Sequence, residues 1–141
     1  MPITVERIPD EPIIVANCTG FITKEDFVGM FTQVNDLMET MEGTVYRIAD
    51  YREANSSFVD ILKTVQEASK GMPGSTTDPR IQTVWVGTTQ WIALARNFFQ
   101  QQQFGGLQVP AFHDMDTAFD YVKMDRAKQA QTASETSNAA D

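Results

Sequence analysis

The spacing of apolar side chains changes along the chain, and each change marks an element. Ile3-Thr4-Val5-Glu6-Arg7-Ile8 alternates apolar and polar positions, the period-2 pattern of a half-buried strand. Pro9-Asp10-Glu11-Pro12 is a turn cluster, and Ile13 to Cys18 is a second β-rich run, so the two predict a hairpin with one face on the core. Beyond Gly20 the period becomes helical. Phe27, Met30, Phe31, Val34, Leu37, Met38 and Met41 repeat at helical spacing, with Thr23 as cap, Glu25 and Asp26 in the first turn, and Gly43 as the stop. Thr44 to Ala49 predicts a third strand, with Asp50-Tyr51-Arg52 leaving its end. A second helix starts near Ser56 or Ser57 and carries Phe58, Ile61, Leu62 and Val65 on one stripe.

The second half repeats the alternation. Gly71-Met72-Pro73-Gly74 and the polar run to Pro79 read as a loop that tolerates mobility. Ile81 to Gly87 is a fourth strand. Thr88 or Thr89 caps a third helix, which runs to the glutamines before Phe104-Gly105-Gly106. Leu107 to Phe112 is a short last strand, marked as an edge by Pro110. Asp114 or Asp116 caps a final helix holding Met115, Ala118, Phe119 and Val122. The order β-β-α-β-α-β-α-β-α predicts an α/β domain: a five-stranded mixed sheet, mainly parallel, entered by one hairpin and carrying four helices. Residues 126–141 hold no large apolar side chain and predict a disordered tail, leaving residues 1–125 as the folded domain.

Composition narrows the chemistry. The 141 residues carry 11 Lys and Arg against 19 Asp and Glu, a net charge of −8. Such a balance argues against nucleic acid, whose phosphates demand a basic patch, and against an anionic membrane surface. The single Cys18 forms no intramolecular disulfide and no thiolate metal cage. No stretch approaches the roughly 18 apolar residues of a spanning helix, so no stable membrane insertion is expected. The first dozen residues carry Glu6, Asp10 and Glu11 with three prolines, unlike a secretory signal, and the expected location is cytoplasmic.

Several of these stretches resemble the SpoIIAA-like branch of the STAS superfamily. They are the opening hairpin, Thr23-Lys24-Glu25-Asp26-Phe27 on the first helix, and a strand ending in Asp50-Tyr51-Arg52. Val84-Trp85-Val86-Gly87 and the closing Ala111-Phe112-His113-Asp114-Met115-Asp116-Thr117-Ala118 match that branch as well. The resemblance covers nearly the whole folded region. It implies a SpoIIAA-like fold and kinship with bacterial anti-sigma-factor antagonists and with CRAL-TRIO lipid-binding domains. In the antagonists a serine in an Asp-Ser-Ser-Gly step is phosphorylated. The comparable step here is Asn55-Ser56-Ser57-Phe58, which makes Ser56 or Ser57 the possible phosphoacceptor, with both flanking residues changed. The residues themselves offer a second role, since either serine can cap the helix and Ser57 with Asp60 has capping-box spacing.

Other candidates weaken on inspection. His113 beside Asp114 and Asp116 could join a nucleophilic site, but no spacing links it to Cys18, and one His with scattered carboxylates makes a poor metal site. The Gly71-to-Thr76 run lacks the Gly-Lys-Ser/Thr ending of a phosphate loop. No catalytic residue, metal or cofactor is therefore expected. The third helix is more informative. Taking Trp91 as zero at about 100° per residue, Leu94, Phe98, Ala95, Phe99 and Ile92 span an arc about 160° wide, broader than a usual core stripe of about 100°. Trp91, Phe98, Phe99 and Phe104 are thus candidates for an interface or an apolar ligand site. The expected function is a non-enzymatic regulatory or protein-binding module, a homodimer with a possible regulatory partner. The alternative is a carrier or sensor of a small apolar, lipid-like molecule.

Overall fold

The hairpin forms where the alternation places it: β1 (Ile3–Arg7) runs antiparallel to β2 (Ile13–Phe21), with Ile3 opposite Cys18 and Arg7 opposite Ile14. A computed structural model of the chain describes residues 2–139, with side chains through residue 131. β3 (Val45–Asn55) pairs parallel with β2, and β4 (Ile81–Val86) parallel with β3. β5 (Ala111–Phe112) closes the order β1-β2-β3-β4-β5, pairing parallel at Trp85 and Val86. It is shorter than its apolar run predicts, since Pro110 has no N–H for a ladder and contributes only its carbonyl, to Trp85 N–H at 3.0 Å.

Each parallel step is bridged by a helix: α1 (Lys24–Met38), α2 (Phe58–Ser69) and α3 (Gln90–Gln100). Because the strands advance one place at a time, crossovers of one hand lay all three helices on the same face. Their apolar sides and one side of the sheet form the larger core, around Phe31, Val34, Ala49, Val65, Trp85 and Phe99. α1 starts at the predicted cap, where Thr23 Oγ1 accepts from Asp26 N–H and the Asp26 carboxylate accepts from Thr23 N–H at 2.9 Å. It ends at Met38 rather than at Gly43, and a turn carries Met41 back into the core.

The opposite face is covered by α4 (Met115–Ala139), which buries Ala118 and Val122 against Ile13, Val15, Tyr46, Ile48, Val84 and Val86. Asp114 Oδ1 caps its first turn by accepting from Thr117 N–H at 2.7 Å. The helix continues through residues 126–139, where disorder was expected. No Gly or Pro interrupts this Ala-rich stretch, so backbone propensity carries the helix on. Residues 140–141 of the expected tail lie outside the described residues.

The loop between α2 and β4 is the other departure. Its composition predicts mobility, yet Gly74, Ser75 and Thr76 are buried. Gly74 has φ +82, and a Cβ there would stand 2.1 Å from the Phe31 carbonyl oxygen, so the loop lies directly on the backbone of α1. Arg47, fully buried on β3, holds it: Nη1 donates to the Gly74 carbonyl at 2.9 Å and Nη2 to Thr76 Oγ1 at 3.0 Å.

Candidate functional site

The broad apolar arc of α3 divides in two. Ile92, Ala95 and Phe99, between about 40° and 100°, are buried, whereas Trp91, Leu94 and Phe98 lie off to one side and are half-buried. Trp91 borders the core and donates its indole N–H to the Ala54 carbonyl at 3.1 Å. Phe98 overhangs it. Its ring meets Phe58 of α2 edge-on at 5.8 Å between centroids, and Phe104, in the 3-10 turn after α3, at 6.1 Å.

Phe58 therefore stands outside the core stripe assigned to it, and 56% of its surface is exposed. The buried residues of α2 are Ile61, Thr64, Val65 and Ala68. With Phe58 as zero these lie between about 240° and 340°, so Phe58 and Leu62 fall at the margin of the buried arc. Val59, next in sequence, is 55% exposed. Phe58, Phe98 and Phe104 thus form an aromatic ridge along α2 and α3.

Trp91 and Phe99 belong to a different place. With Phe27, Phe31, Tyr51 and Trp85 they wall an apolar cavity of ≈ 30 Å³ beneath the three helices. That volume suits about one water and is far below the roughly 300 Å³ of a ligand pocket, so in this conformation it admits no acyl chain. The rings lock edge to face, Tyr51 with Trp91 at 5.0 Å and with Trp85 at 5.8 Å. Burial pushes the Tyr51 phenol up, so it stays neutral.

Ser56 and Ser57 sit where the N-termini of α1 and α2 meet. Ser56 Oγ donates to the Ile22 carbonyl at 2.6 Å, and Ser57, the N-cap of α2, donates to Asp60 Oδ2 at 2.7 Å while accepting from Asp60 N–H at 3.1 Å. Asp60 Oδ1 also accepts from Lys24 N–H at 2.9 Å, so one carboxylate serves both helix starts. The Ser57 hydroxyl and then the Lys24 amide hold the Asp60 carboxyl below its usual range. A phosphoryl group on Ser57 would meet that carboxylate, and one on Ser56 would displace the bond to Ile22.

No family model and no curated relative matches the sequence. A solved structure does: an uncharacterised protein from the DUF3478 family, from Shewanella loihica PV-4, whose fold is described as SpoIIAA-like. It covers 84% of this chain and 90% of its own, with a TM-score of 0.55 and 17% identity. The fold is SpoIIAA-like.

In this SpoIIAA-like domain the remaining chemical candidates stay apart. Cys18 is buried on β2, and burial pushes its thiol up to about 12. His113 is exposed at the end of β5, with β3 and β4 between that strand and β2. Among the described residues no group of three His, Cys, Asp or Glu side chains could hold a metal ion, and no helix is long and apolar enough to cross a membrane. Sequence reasoning missed Arg47 and the outward position of Phe58. Helical angles taken from Ile61, Val65 and Ala68 would have found the second. Nothing in the pattern around Arg47 marks it as buried.

Proposed function

We propose that this domain is a non-enzymatic regulatory module that acts by binding protein, and that it forms a homodimer through the aromatic ridge. The observation that carries this reading is the Phe58–Phe98–Phe104 stack, three rings in edge contact at the margin of the core, with Phe58 more than half exposed. Aromatic side chains, phenylalanine among them, are enriched at protein interfaces, and a ridge built from two neighbouring helices suits an isologous contact with a second copy. The stack itself is uncharged. The non-enzymatic part rests on the buried, weakly acidic Cys18 and its separation from His113.

Sedimentation and circular dichroism of Phe58→Asp and Phe98→Asp test the reading. Both variants should keep the wild-type spectrum while the mass falls from dimer to monomer. A wild-type chain that sediments as a monomer at every concentration removes the proposed interface. A bound lipid in native mass spectra of protein from cells would favour the carrier alternative instead.

A further inference from the structure

The interior between β3 and β4 holds more hydrogen-bond donors than acceptors. Arg47 is fully buried, its Nε has no partner, and only a carbonyl and two hydroxyls bond its guanidinium. Asp78 is the carboxylate whose field reaches it, yet the Asp78 oxygens are engaged by Gly74 N–H at 2.8 Å and Arg80 N–H at 2.9 Å. The two hydroxyls belong to Thr76 and Thr83, which accept from Nη2 at 3.0 and 3.3 Å. A hydroxyl oxygen that accepts from a guanidinium turns its own hydrogen away from it. Among the described residues neither threonine donates that hydrogen to an acceptor.

Both threonines line a polar cavity of ≈ 90 Å³, together with Gln82, Gln108 and Tyr121. Each is more than nine-tenths buried, Thr76 at 6% exposure and Thr83 at 9%. The cavity exists because the approach to β5 diverges from β4. Pairing is confined to Trp85 and Val86, so residues 107–109 pass residues 81–83 without a ladder. A gap in the sheet results, its polar groups interleaved with Ile81, Leu107, Val109 and Pro110, with a buried positive charge one hydrogen bond behind it.

We propose that this gap is a binding site for a small carboxylate, held by the hydroxyls of Thr76 and Thr83 in the field of Arg47. Water would satisfy the hydroxyls but bring no charge, and the Asp78 carboxylate that acts on Arg47 spends its oxygens on the Gly74 and Arg80 amides rather than on the guanidinium. A carboxylate accepts from both hydroxyls and adds a second negative charge near the buried arginine. The Gln82 and Gln108 side chains, which also line the gap, offer N–H groups for its second oxygen. The volume corresponds to about three waters, which fits a species the size of formate or acetate and excludes an acyl chain.

The test is a titration of isotopically labelled full-length protein with sodium acetate, with sodium chloride at matched ionic strength as the control, read by amide NMR shifts. The amides of Gln82, Thr83 and Gln108 should shift saturably with acetate, with half-saturation at millimolar concentrations as so small a ligand allows, and not with chloride. Thr83→Val should weaken the half-saturation about tenfold, whereas Thr83→Ser, which keeps the hydroxyl, should bind as the parent does. Thr76→Val repeats the test from the other hydroxyl should Thr83→Val fail to fold. Equal, unsaturated responses to acetate and chloride, or undiminished binding by a folded valine variant, overturn the proposal.

Discussion

The two faces of the sheet are built on different principles. On one, α1, α2 and α3 press aromatic rings, a buried arginine and a pinned loop into a thick core. On the other, α4 lays Ala118 and Val122 across the strands and adds polar clips at its margin. Tyr46 Oη donates to Asp125 Oδ2 at 2.7 Å, and Arg126 pairs with Glu11, both partners partly exposed. The first face is packed in depth, while the second acts as a cover. Substitutions of similar chemistry should therefore have unequal effects on the two sides.

The largest effect is expected at Phe99, which is buried beside Trp85. Phe99→Asp places an unpaired charge in the thick core at a cost of several kcal/mol, comparable with the stability of a small domain. Circular dichroism should show it unfolded, while Phe104→Asp on the ridge stays folded. A folded Phe99→Asp would mean that the core ends at the ridge and not beneath it.

Arg47→Met comes next. It leaves the Gly74 carbonyl and the two threonines without their donor, and should cost about 3 kcal/mol in urea unfolding. On the α4 face, Tyr46→Phe loses one hydrogen bond and should cost about 1 kcal/mol. Equal costs would erase the contrast between the faces.

The extent to which this organisation was legible in the sequence follows from what a linear pattern encodes. α1 was legible because Thr23, Asp26 and a full apolar stripe agree. The hairpin and the parallel order were legible because strand and helix periods alternate cleanly. Phe58 was misplaced because period alone does not say which part of an apolar arc faces inward. The loop at residues 71–79 looked mobile because its polar side chains were read as solvated, whereas they bond inward. Arg47 was invisible: one arginine in a strand reads as an edge or surface residue until Gly74, Thr76 and Thr83 are seen around it. The structure divides the candidate residues Trp91, Phe98, Phe99 and Phe104 between an inner cavity and an outer ridge, a division the apolar pattern does not encode.

Smaller effects sharpen the comparison further. Ser57→Ala removes the cap of α2 and should lower stability by about 1 kcal/mol, seen as a shift of the urea midpoint. Asp60 gives the joint between α1 and α2 a pH dependence. Its carboxyl is held low in the folded state, so the unfolded chain binds its proton first on acidification. The stability it adds is fully present above the unfolded aspartate value of about 4 and is lost as the pH falls through the lower folded value. Thermal melts between pH 6 and pH 3 should fall less steeply for Asp60→Asn than for the parent. The smallest effect belongs to the far end of α4. Removing residues 127–141 should leave Tm unchanged, and removing Arg126 as well should cost no more than about 1 kcal/mol, the worth of an exposed ion pair. A fall of several degrees for the shorter truncation would mean that the end of the helix docks.

The contact between Gly74 and Phe31 also governs how the molecule comes apart. The loop cannot lift from α1 without stranding the Arg47 guanidinium in an apolar seam, and α1 cannot shift without driving its backbone into Gly74. Partial opening on this side therefore costs nearly as much as complete unfolding, and the segment should behave as one cooperative unit. Amide protons of residues 74–78 should then exchange with solvent only when the whole domain unfolds, as slowly as those at the centre of β3, despite lying in a connection between elements.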